Sequence, residues 1–73
     1  METKIMVLGP GIKWEIIGES LFDCLDVAYR QFRGKRVELI ALKPLGYIDG
    51  QGLVVDDPSL DRGSLKEIMK SGN

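Results

Sequence analysis

The chain contains no histidine. With it go the usual proton carrier near neutral pH, the Ser-His and Cys-His nucleophile pairs and the imidazole metal ligand. Most hydrolase mechanisms therefore lose their central group, and neither a catalytic set, a metal site nor a bound cofactor is expected. There is one cysteine, Cys24, which excludes an internal disulfide framework and fits a reducing, cytoplasmic setting. Free cysteine is among the most buried residue types, so Cys24 reads first as a small core residue. Long apolar runs are also missing: Ile5 to Leu8 is the N-terminal stretch, and Gly9-Pro10-Gly11 ends it. That is far too short for a secretory core or a membrane span, so no export and no membrane partner are expected. Nor does either sign of charge dominate. Ten Lys or Arg stand against eleven Asp or Glu, a net charge of −1, which gives no global field for nucleic acid or an anionic membrane. Direct sequence-specific nucleic-acid binding is not expected.

What remains is an ordinary globular composition, 44% apolar and 29% charged, in 73 residues. A chain of that length makes one domain and buries little more than ~60% of the surface its unfolded form exposes. Residues 4–8 and 12–17 are apolar or β-branched runs around Gly9-Pro10-Gly11, which predicts strand, turn, strand. The glycines and proline superficially open a phosphate-binding loop, but Trp14 takes the place of the third glycine and a strand follows, so the turn reading is preferred. Ser20 followed by Asp23 has the form of a capping box. Leu21, Cys24, Leu25, Ala28 and Phe32 then recur at spacings of three and four, the stripe of an amphipathic helix. Asp23 and Asp26 near its start, Arg30 and Arg33 near its end and Gly34 just beyond suit the helix dipole and its C-terminal stop.

Residues 36–43 (RVELIALK) predict a third strand, with Pro44 as its stop. The expected fold is α+β: a ββαβ core over residues 1–44, with a small antiparallel sheet in the order 2-1-3 and one helix on one face. Residues 45–73 hold glycines at 46, 50, 52, 63 and 72 and few periodic apolar positions. They read as a loosely ordered C-terminal segment, partly disordered or late-docking. Within it, a short strand over Leu53-Val54-Val55 and a short helix capped by Ser64 and Glu67 are the candidate elements. On this division, a chain cut after Leu45 would keep its core. Asp56, Asp57 and Asp61 could attract a cation, yet they lack the ligand spacing of a calcium loop and read first as turn residues.

Two surfaces stand out as candidate partner-binding sites. If Ile5, Val7, Ile12, Trp14 and Ile16 face the helix, strict alternation turns Met6, Leu8 and Ile17 to the other side, together with Ile40 and Leu42. One helix cannot cover both faces. Met6, Ile40 and Leu42 are then either sheathed by the C-terminal segment or open to a partner. The second surface is the basic set Arg30, Arg33, Lys35, Arg36 and Lys43, which either offsets the helix dipole or meets an acidic protein surface.

The stretch ESLFDCLDVAYRQF with its continuation RVELIALKP resembles the helix and closing strand of small phage-encoded inhibitors of bacterial RNA polymerase. The matching positions are Glu19, Ser20, Leu21, Leu25, Ala28, Gln31, Phe32, Glu38, Lys43 and Pro44, within about a third of the chain. That family carries two basic residues on the closing strand, and here Ala41 stands at the first place and Lys43 at the second. The resemblance implies a non-enzymatic regulator that docks on a polymerase subunit through a sheet edge and charged side chains, in the host cytoplasm. A β-grasp-like adaptor or carrier is the alternative. Conjugating carriers end in Gly-Gly, whereas this chain ends Ser71-Gly72-Asn73, which favours the non-conjugating form.

Overall fold

A computed structural model describes residues 2–71. The element order is β1 (Thr3–Gly9), β2 (Ile12–Gly18), α1 (Leu21–Phe32), β3 (Val37–Ile40), β4 (Pro44–Asp49), β5 (Gly52–Val55) and α2 (Arg62–Ser71). All five strands form one sheet in the order β2-β1-β3-β4-β5, and every neighbouring pair is antiparallel. The three-strand ββαβ expectation is therefore incorrect. Its 2-1-3 order survives as one side of a larger sheet, which β4 and β5 extend beyond β3.

The hairpin and first helix follow from local chemistry. Pro10 and Gly11 form the turn, and Gly11 sits at φ 71°, where a side chain would be strained. Val7 pairs with Trp14 and Ile5 with Ile16. The Asp23 amide donates to Ser20 Oγ at 3.2 Å, the expected cap of α1. Cys24, Leu25, Ala28, Tyr29 and Phe32 are buried along one side. Tyr29 joins the expected stripe because the buried arc is wider than strict three-and-four spacing implies.

The largest departure lies after Ile40, where β3 stops. The expected strand over residues 36–43 is shorter because Ala41 to Lys43 form a tight loop, closed by the Ala41 amide donating to the Lys43 carbonyl at 3.0 Å. Pro44 does not end structure. It opens β4, a strand's first position being one where a missing N–H costs no ladder bond. The register of β3 against β4 shifts between Leu39 and Ile40, a bulge that re-aims side chains, and Leu45 is buried within the core. Gly46 faces β5 so closely that a Cβ there would stand 1.9 Å from the Val54 carbonyl oxygen. Glycine at this position signals close backbone approach rather than looseness.

Nor is the C-terminal segment loosely ordered. Ile48, Leu53 and Ile68 join Ile5, Val7, Leu25 and Leu39 in a single buried cluster. The cap of α2 is Asp61, whose Oδ1 accepts the Ser64 amide at 2.7 Å, in place of the expected Ser64 and Glu67 box. α1 packs on β1 and β2, and α2 packs on β5 and on α1. Both helices thus cover the same face of the sheet, and among the described residues no element lies over the other face.

Candidate docking face

Alternation along the strands decides what each face carries. Ile5, Val7, Ile16, Val37, Leu39, Ile48 and Leu53 turn toward the helices and are buried. Trp14 also turns that way, touching Phe32 edge to face at a centroid distance of 5.8 Å. It lies on the outermost strand, however, and remains 49% exposed. The expectation that it faces the helix is therefore met, though the edge position leaves much of the ring open.

The opposite face presents two cross-strand rows. In one, Lys13, Leu8, Glu38, Tyr47 and Val54 stand opposite one another in turn. In the other, Glu15 faces Met6 and Met6 faces Ile40. Met6, Leu8 and Ile40 are half-buried by their neighbours, while Ile17, Tyr47 and Val54 are exposed. Charge lies both within and beside this strip: Glu38 stands between Leu8 and Tyr47, and Lys4 meets Glu15 at 3.7 Å on the β2 side. A shallow groove of about 1010 Å³ crosses the strip, lined by Leu8, Pro10, Arg36, Glu38, Ile40, Tyr47 and Asp49 among others.

The basic residues expected to act together are divided by the structure. Arg30 is on α1 and pairs with Asp26 at 3.3 Å. Arg33 is the C-cap of α1, and Lys35 and Arg36 are exposed in the turn that follows. Arg36 precedes β3, whereas Lys43 follows it in the next loop. At roughly 3.3 Å per residue, β3 alone puts more than ~10 Å between them. Arg36 joins the open face as one end of the groove. Lys43 instead lines a small apolar hollow with Thr3, Leu21, Leu42 and Asp57 at the other end of the sheet. Leu42 is fully exposed in that loop, off the strip that Met6 and Ile40 share. Tyr47 was missed because β4 was not expected, and Val54 because its strand, expected over Leu53-Val54-Val55 and present as β5, had no assigned place in the sheet. Two aromatic or β-branched residues in alternating runs beside Gly46 and Gly52 were the available signal.

No family model, curated protein or solved structure matches this chain. Among the described residues, no helix is long and apolar enough to cross a membrane.

The titratable groups with displaced ionisation are structural. Asp57 is held below the usual carboxylate range by the Ser59 hydroxyl and amide, which donate to it at 2.6 and 2.8 Å. Asp61 is lowered by the Ser64 amide it accepts. Neither aspartate forms a metal cluster, and among the described residues no three potential ligands converge. Cys24 is fully buried, and its thiol donates to the Thr3 carbonyl at 3.3 Å. Desolvation is the main cause of its raised pKa, with the charge of Asp23 adding to it.

Two outcomes follow for Cys24. Alkylation of the folded chain should be limited by opening of the structure and become fast only in denaturant, since the reactive form is the thiolate. Rapid labelling of the native protein would place the thiol at the surface. Cys24→Ser should cost ~1–3 kcal/mol, toward the lower end because the Thr3 carbonyl can accept the hydroxyl. The pH dependence has a defined sign. A raised folded-state pKa means the folded chain favours the neutral thiol. Its stabilising contribution is full below the ordinary value of 9.0 and is lost as pH rises through and beyond it.

Proposed function

We propose that this chain is a non-enzymatic protein-binding regulator that docks on its partner through the open face of the sheet. The observation supporting it is the strip of Met6, Leu8, Ile40, Tyr47 and Val54, left uncovered because both helices pack on the opposite side. Here one acidic side chain, Glu38, stands among the apolar ones, between Leu8 and Tyr47, and exposed apolar surface of this kind with polar groups beside it is a common make-up of a protein contact. Tyr47, an exposed aromatic beside the groove, is suited to serve as its anchor. The partner we propose is a subunit of bacterial RNA polymerase, met in the cytoplasm of the host. That choice rests on the similarity of residues 19–44 to the phage inhibitors.

Tagged protein is incubated with bacterial lysate, the captured proteins are identified by mass spectrometry, and purified polymerase is assayed for transcription in parallel. Wild type should retain polymerase subunits and reduce transcript yield. The Ile40→Asp/Tyr47→Asp variant alters one half-buried and one exposed side chain of this face; its circular dichroism should match wild type, and it should bind at least about thirtyfold more weakly, a loss of ~2 kcal/mol. Equal capture by the two proteins would remove the open face from the contact. Capture of other proteins without polymerase, together with undiminished transcription, would replace the polymerase reading with the adaptor one.

A further inference from the structure

The two edges of the sheet are finished differently. β5 is four residues long, and α2 lies against it: the Leu53 amide donates to the Met69 sulfur at 3.4 Å. An incoming strand would meet that helix. β2 runs for seven residues and pairs with β1 alone, in unbroken register. It contains no proline. Every second backbone N–H and C=O along it points outward, away from β1, and so offers a template for another strand.

The side chains of β2 specify which strand fits. A two-fold dimer through an antiparallel edge places residue i opposite residue j, and j opposite i. Directly opposed residues point to the same face, so the axis must pass through a residue of β2. Centring on Lys13 or on Glu15 sets like charges against each other. Centring on Ile16 sets Glu15 against Ile17. Only centring on Trp14 sets Lys13 against Glu15 in both directions, and it also pairs Ile12 with Ile16. Trp14 then meets its own copy across the axis, with its other side held by Phe32. Glu15, already 3.7 Å from Lys4, gains a second cation.

We infer that this chain forms a two-fold dimer in which β2 pairs antiparallel with β2 of a second copy, centred on Trp14. The two sheets become one continuous sheet, with the helices of both copies on the same side. The open face stays free and is presented twice, side by side.

Sedimentation velocity on the full chain over a range of concentrations tests this. Wild type should approach twice the 8.1 kDa chain mass. Lys13→Glu or Glu15→Lys alone sets like charges opposite each other twice and should raise the dimer dissociation constant about tenfold or more. The Lys13→Glu/Glu15→Lys double variant restores opposite signs and should return close to wild type. Circular dichroism should be unchanged in all of them, since both positions are exposed. A monomer at every concentration up to about 1 mM, a single reversal that dimerises like wild type, or a double variant that fails to recover would each overturn the inference.

Discussion

A chain ending at Leu45 is expected to be unfolded. The cut removes Ile48, Leu53 and Ile68, all buried in the same cluster as Ile5, Val7 and Leu25. Each such side chain contributes about 1.5–3 kcal/mol on burial. A single core in a chain of this size rarely supplies more than ~3–5 kcal/mol in total, so losing three of its members exceeds what the remainder can hold. β3 would also lose its partner on one side, leaving its ladder half made. Far-UV circular dichroism and amide dispersion of residues 1–45 should show no cooperative structure. A sigmoidal thermal transition in that fragment would restore the division at Pro44.

Gly46→Ala should produce the largest loss of stability of any single-methyl addition among the described glycines. The added carbon would meet the Val54 carbonyl oxygen at 1.9 Å and the Val55 Cα at 2.8 Å. Both are backbone atoms of a paired strand and cannot rotate aside, so β4 and β5 must separate. Overpacking of a well-packed core typically costs about 1–3 kcal/mol, and here, with backbone atoms in the way, ~3 kcal/mol or more is expected. Gly50→Ala is the control: nothing lies within 4 Å of its added carbon, and its effect should stay within about 0.5 kcal/mol. Urea titrations of the two variants read the contrast as a shift in midpoint at unchanged slope. Equal midpoints would show that β5 does not lie against Gly46.

These two positions also explain what was legible in the sequence. The hairpin, α1 and the sequence of strands around β1 were readable because each carries a local signal: Pro10-Gly11 for the turn, Ser20 and Asp23 for the cap, the Cys24 to Phe32 stripe for the helix. The second half lacks such signals because its stability is tertiary. Gly46 weakens strand propensity while permitting the close approach of β5, and Pro44 has the same local appearance whether it stops one strand or opens the next. α2 carries Leu65, Ile68 and Met69 at helical spacing, yet only Ile68 is fully buried, so its apolar stripe is narrow. For the docking surface, alternation correctly placed Met6 and Ile40 together on one face. It could not supply Tyr47, whose strand was unassigned, or Val54, whose candidate strand had no place in the sheet, nor separate Lys43 from Arg36, because that distance depends on β3 ending at Ile40.

The most direct measurement of the proposed docking mode is an amide and methyl chemical-shift map of the labelled protein titrated with the polymerase subunit proposed as its partner. Perturbations should concentrate on Met6, Leu8, Glu38, Ile40, Tyr47 and Val54, with Arg36 at one end, and the buried side of α1 should be unaffected. Perturbations confined to the exposed surfaces of α1 and α2, with Ile40 and Tyr47 unchanged, would contradict it.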